Sequence, residues 1–122
     1  MKFLAWSEDK WLSKEGNVLP YDKVEHFLYA FFGVIVQFFL VSPYILNNPS
    51  PAGLFISANL FSISMFIRTL GILRELYDSV VPYHFTPRRV QGWSWKDLIA
   101  NEAGIHAACQ VILFIKQWGT IL

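Results

Sequence analysis

Between Phe27 and Leu46 the chain runs for twenty residues without one charged side chain, and this stretch constrains the fold more than any other feature. A helix of about 20 apolar residues is what a ~30 Å hydrocarbon core requires. A second apolar run, Leu54 to Leu73, is interrupted only by Arg68. A third, Leu98 to Ile115, carries Asn101, Glu102 and His106. Helices that are apolar on every side need burial on every side. A chain of 122 residues is enough for one domain but too small to bury two such helices in a soluble core. The expectation is a single membrane domain over residues 1–122.

Composition supports the same reading. Charged residues make up 16% of the chain and hydrophobic residues 54%, where a soluble domain carries about 25% charged residues. A net charge of +1 provides no field that would recruit nucleic acid. The single cysteine, Cys109, excludes an intrachain disulfide and a cysteine-built zinc site. Trp6, Trp11, Trp93, Trp95 and Trp118 all lie outside the apolar runs or at their ends, where the membrane–water interface favours tryptophan.

Turn signals divide the chain into three helices. Asn17 to Pro20 precede the first, and Asn47-Asn48-Pro49-Ser50-Pro51 separate the first from the second. Pro82, Pro87 and Gly92 break the chain before the third, where Ser94 and Asp97 are spaced as a capping box. The predicted architecture is all-α: a three-helix integral membrane bundle over 22–118, with helices near 23–46, 53–77 and 97–117. Residues 1–21 are expected to form an interfacial segment, with Phe3, Leu4, Trp6, Trp11 and Leu12 on the membrane surface. Glu8 and Asp9 follow the short apolar start at once, unlike a standard signal peptide.

Three crossings bring distant polar residues to one membrane face. The first helix leaves that face near Asp22, the second returns to it near Glu75 to Asp78, and the third leaves again from Asp97. Asp22, His26, Glu75, Asp78, Asp97 and Asn101 are therefore the candidate catalytic residues. His26, Glu75, Asp78 and Asp97 are the candidate ligands of a divalent metal ion, since carboxylates with a histidine suit such ions. Acids drawn together in a low-dielectric setting repel one another, so the cluster needs a cation, a shared proton or counter-charges. Helical phase puts Asp22, His26 and Gly33 on one stripe, and Asp97, Asn101, Gly104 and Ala108 on another. Small residues along such stripes let helices approach closely. Arg68 lies deeper, with Glu102 as its expected partner. Arg88 and Arg89 are candidates for holding a phosphate or carboxylate head group.

Three segments form a motif series: Asp22-Lys23-Val24-Glu25-His26-Phe27, Arg74-Glu75-Leu76-Tyr77-Asp78-Ser79, and Gly92-Trp93-Ser94-Trp95-Lys96-Asp97-Leu98 running on to Gly104. The series resembles the YfiM-like lipoprotein family, with its D-K-x-x-H-F, K-E-x-x-D and S-x-K-D-L pattern. It also resembles the wider VanZ-like membrane protein group. The resemblance covers about residues 21–106. It implies a small helical envelope protein with Asp22, His26, Glu75, Asp78 and Asp97 as its polar set, and it implies no particular reaction. Arg74 stands where the lipoproteins have lysine, and the lipid-bearing cysteine is missing.

Two functions fit these residues. One is a structural or accessory subunit of a membrane complex, self-associating or bound to a larger assembly, with the polar cluster as a clasp. The other is a metal-dependent or acid–base enzyme acting on a lipid-linked or envelope substrate. Lys2, Lys10, Lys14, Lys23, Arg74, Arg88, Arg89 and Lys96 crowd the face that holds the cluster, against Lys116 on the other. The positive-inside rule then places the cluster on the cytoplasmic side of a bacterial inner membrane. The resemblance to lipoproteins implies the periplasmic side instead.

Overall fold

The computed structural model describes residues 1–12, 21–80 and 92–121, which are helical apart from the first twelve residues, the short breaks at 48–50 and 58–59, and the chain just before the first and last helices. The elements are α1 (Asp22–Val36), a π-helical turn (Gln37–Val41), α2 (Ser42–Asn47), α3 (Pro51–Ser57), α4 (Leu60–Val80) and α5 (Trp95–Ile121). From Asp22 to Asn47 the helix is continuous. Its π turn precedes Pro43, which lacks the N–H of a regular α-turn and whose ring crowds the carbonyl four residues back. Widening the helix by one residue absorbs that conflict, and the Ser42 N–H reaches back to the Gln37 carbonyl.

Two helices, Asp22–Asn47 and Trp95–Gly119, are long and apolar enough to cross a membrane. The second apolar run departs from the expected straight helix near 53–77. It is two helices, α3 and α4, bent by 90° between Ser57 and Leu60. Polar residues within the run explain the break. Asn59 Oδ1 caps α4 by accepting the Ser62 N–H at 2.9 Å. Ser57 is fully buried, where its carbonyl accepts the Ser42 hydroxyl at 2.8 Å and its own hydroxyl accepts Gln37 Nε2. These bonds fasten α3 to the π turn and to the first residue of α2. Ser50 caps α3 through the Gly53 N–H at 3.1 Å, as a turn cluster at that point requires.

α5 packs chiefly along α1, with α4 against both. A Cβ at Gly104 would collide with the Phe27 carbonyl oxygen and lie 3.1 Å from Ala30 Cβ. Gly104 and Ala108 therefore form the predicted close seam. The core is narrow: Ala30, Val34, Ile63, Ile105, Ala108 and Ile112. Only 22% of the most apolar window of Asp22–Asn47, and 33% of that of Trp95–Gly119, is buried. The remaining apolar side chains point outward, including Leu40, Phe55 and Phe61, an outer surface that suits lipid better than water.

The N-terminal residues form a strap. Lys2 N–H donates to the Ser79 carbonyl (3.0 Å), Leu4 N–H to the Trp93 carbonyl (2.9 Å), and Trp93 N–H to the Lys2 carbonyl (2.8 Å). The strap thus closes a short bridge onto the link between α4 and α5. Gly92 makes the crossing possible. Its φ is +98°, and a Cβ there would meet Leu4 Cγ at 3.2 Å and Lys2 Cγ at 3.3 Å. Phe3, Trp6 and Trp11 face outward, whereas Trp93 is buried rather than interfacial. The rest of the expected interfacial segment, 13–20, lies outside the described residues.

Candidate functional site: an acid and histidine centre under the strap

The starts of α1 and α5, the end of α4 and the strap meet at one end of the bundle. Each helix contributes through its terminal turns, where polar side chains stand above the apolar seam. His26 is the hub. Its Nε2 lies 3.3 Å from Asp97 Oδ2, 3.4 Å from Asp22 Oδ1 and 4.0 Å from Glu75 Oε1. Its Nδ1 lies 3.2 Å from Asn101 Oδ1. With Nδ1–H donated to that oxygen, a neutral ring turns its Nε2 lone pair toward three carboxylates. Such an arrangement requires a proton on Nε2 or a cation between the groups.

Lys23 supplies the counter-charge. Its Nζ lies 2.6 Å from Asp9 Oδ1, 2.7 Å from Asp97 Oδ1 and 3.4 Å from Asp22 Oδ2, and all but Asp22 are buried. Ser94 ties the same groups together. Its hydroxyl donates to Asp9 Oδ2 and accepts the Asp97 N–H at 3.1 Å, capping α5. In a capping box the acid three residues on would reach back to the cap N–H. Here Glu75 of α4 takes that place, its Oε2 accepting the Ser94 N–H at 2.9 Å. Lys96 anchors the strap through the carbonyls of Trp6 (2.9 Å) and Asp9 (2.5 Å), with its ammonium 4.5 Å from the centre of the Trp6 ring.

Of the residues singled out by sequence, Asp22, His26, Glu75 and Asp97 converge, and Asn101 supports His26 from below. Asp78 stands apart. Its carboxylate pairs with Arg74 at 3.1 Å, one turn back on the same helix. The compact donor group is Asp22, His26 and Asp97, whose ligand atoms all lie within 4.8 Å of one another. The two separations from His26 Nε2, 3.3 and 3.4 Å, fall in the about 3–4 Å range that a metal ion with bonds of about 2 Å sets between neighbouring donors. Of the expected ligands His26, Glu75, Asp78 and Asp97, this group keeps His26 and Asp97, takes in Asp22, and leaves out Glu75 and Asp78. Arg88 and Arg89 lie outside the described residues. Arg68 meets Glu102 as predicted, through Nε at 2.8 Å and Nη2 at 2.5 Å, and His106 joins that acid at 3.3 Å.

No protein-family model, curated protein or solved structure matches the chain.

Asp9 and the bridging role of Lys23 escaped the sequence reading. Lys23 carried a signal, since it lies beside Asp22 at the start of the first helix. Asp9 carried none, because its position depends on the path of the strap. Three buried side-chain atoms lack a hydrogen-bond partner among the described residues: Glu75 Oε1, on a fully buried side chain, Trp93 Nε1, and Asp97 Oδ1, the last of which has the Lys23 ammonium 2.7 Å away as its counter-charge.

Proposed function

We propose that this chain is a small integral membrane protein of three spans, a structural or accessory subunit of the VanZ-like and YfiM-like kind. Its ionic centre acts as a clasp that holds the three helix ends and the strap together. α4 supplies the third span, since 21 residues rise about 31 Å. The observation that carries the clasp reading is Lys23, whose single ammonium joins Asp9 of the strap, Asp22 of α1 and Asp97 of α5. With α1, α4 and α5 sharing so narrow a core, self-association or docking within a larger membrane complex completes the module.

Glu75 favours a second reading, a divalent metal centre with acid–base chemistry on a lipid-linked substrate. A fully buried carboxylate oxygen without a partner is costly, and a cation between Glu75, His26, Asp22 and Asp97 would satisfy it. Elemental analysis of detergent-purified protein separates the two readings. The clasp predicts no stoichiometric manganese, iron, zinc or magnesium. One metal per chain, lost in His26→Gln and Asp97→Asn, would establish the centre as a metal site.

We place the clasp on the cytoplasmic face of a bacterial inner membrane, on the lysine and arginine bias. In a Cys109→Ala background, Ser50→Cys should react with an impermeant maleimide in intact cells and Ser7→Cys only after permeabilisation. The reverse pattern would put the clasp in the periplasm.

A further inference from the structure

Beside the clasp, α1 and α4 part to leave a cleft of about 250 Å³ with Asn101 of α5 at its back. α1 lies chiefly against α5, which leaves its contact with α4 looser. Gly33 and Gly71 line the cleft at close contacts, since a Cβ at Gly33 would lie 3.1 Å from Ile67 Cδ1 and one at Gly71 2.7 Å from Asn101 Nδ2. The cleft is polar at one end, where Asp22, His26, Arg74 and Asp78 line it, and apolar at the other, where Ala30, Gly33, Ile67 and Leu70 do. Asp22 to Gly33 on α1 and Asp78 back to Ile67 on α4 each cover eleven residues, about 16 Å of helix. The helices run in opposite directions, so both walls pass from polar to apolar in the same sense, from the clasp into the membrane.

We infer that this cleft binds a phospholipid from the surrounding bilayer whose headgroup carries a primary amine beside its phosphate. The inference rests on the membrane reading above. A polarity gradient along the membrane normal matches an amphiphile rather than a wholly polar or wholly apolar ligand. Small-molecule pockets measure roughly 300–1,000 Å³, so this smaller cleft takes the headgroup junction and the first methylenes of one chain. The remainder of the lipid stays in the bilayer against the exposed Tyr29 and Leu70. Charge sets the headgroup. Asp22, Glu25 and Asp78 stand at the polar end with His26 and Arg74, and Arg74 already pairs with Asp78 at 3.1 Å, so a zwitterionic headgroup extends that pair, its ammonium toward the acids and its phosphate toward the guanidinium. An anionic headgroup without an amine would add a negative charge where three acids already outnumber the basic side chains.

The test uses the full chain in phosphatidylglycerol vesicles with a trace of acyl-diazirine phosphatidylethanolamine, and in parallel an acyl-diazirine phosphatidylglycerol. The ethanolamine probe should label wild type several-fold more than the glycerol probe. Leu70→Trp fills the apolar end, and displacing two buried methylenes corresponds to labelling weaker by about tenfold. Leu73→Trp, an equally exposed α4 position outside the cleft lining, should label like wild type. Equal labelling by both probes, or Leu70→Trp labelling like wild type, overturns the cleft inference while the protein stays in the membrane. Release of the wild type from membranes by alkaline carbonate overturns the membrane reading, and the cleft inference with it.

Discussion

Replacing Lys23 by methionine tests the clasp most directly. Methionine keeps most of the volume of the lysine stem and removes the ammonium. That ammonium lies 2.6 Å from Asp9 Oδ1 and 2.7 Å from Asp97 Oδ1, with the three side chains 7%, 6% and 8% exposed. Removing one member of a buried ion pair costs about 3–5 kcal/mol, because the other charge stays buried without compensation. Lys23→Met takes the ammonium from Asp9 and leaves Asp97 with His26 alone, which places the expected loss near the middle of that range, about 4 kcal/mol. Asp9→Leu alone removes one acid and leaves Lys23 with Asp97, so its expected cost is smaller, about 1–3 kcal/mol. The double variant should recover about 1–3 kcal/mol relative to the sum of the two, as contacting partners do. Reversible unfolding in mixed micelles, followed by circular dichroism against the mole fraction of dodecyl sulfate, measures all three. If Lys23→Met costs less than about 1 kcal/mol, the pair behaves like an exposed surface bridge and the clasp argument is wrong.

Gly92→Ala should cost about 1–3 kcal/mol, since alanine is strained at φ +98° and its Cβ meets the strap. Faster hydrogen exchange at the Leu4 and Trp93 amides, with the α1 and α5 core protected, would locate that loss in the strap. Gly104→Val should also destabilise, because its Cβ would meet a backbone carbonyl of α1 that cannot rotate away. Overpacking of about 1–3 kcal/mol should appear as an earlier unfolding midpoint, and an unchanged midpoint would refute the close seam. Glu75→Gln should leave stability within about 0.5 kcal/mol of wild type, since the amide oxygen still accepts the Ser94 N–H and no ionised group is left unpaired. A large loss in the same unfolding assay would show that the negative charge of Glu75 is needed and would favour a bound cation.

The all-helical class and the two long apolar helices were legible because length and charge are enough to state them. A charge-free stretch such as Phe27 to Leu46 has few ways to be buried, and counting helix reversals brings Asp22, Glu75 and Asp97 to one end. The Arg68–Glu102 pair was legible for a related reason, since depth along two helices follows from residue number. The 90° bend between Ser57 and Leu60 was not. Asn59 and Ser57 sit inside an apolar run, and only the partners Ser62, Ser42 and Gln37 turn them from tolerated polar residues into a cap and an anchor. The strap was equally hidden. Its backbone bonds to Trp93 and Ser79 are tertiary contacts with no periodicity to announce them.

The absence of Asp78 from the centre shows where hydropathy stops constraining a helix. Glu75 and Asp78 are three residues apart, which leaves them about 60° apart around α4. Both satisfy any rule that asks for polar residues at one membrane level. A rotation of that size decides which of them lies beneath α5 and which turns toward the gap with α1. Ser94 settles it. Its N–H, at the cap of α5, needs an acceptor, and Glu75 meets it at 2.9 Å. Asp78 is thereby turned to the cleft, where Arg74 one turn earlier meets its charge. One capping bond between helices thus sorts two carboxylates of similar sequence context into different roles. Glu75 becomes the buried acid of the clasp, and Asp78 part of the surface that a lipid headgroup would meet.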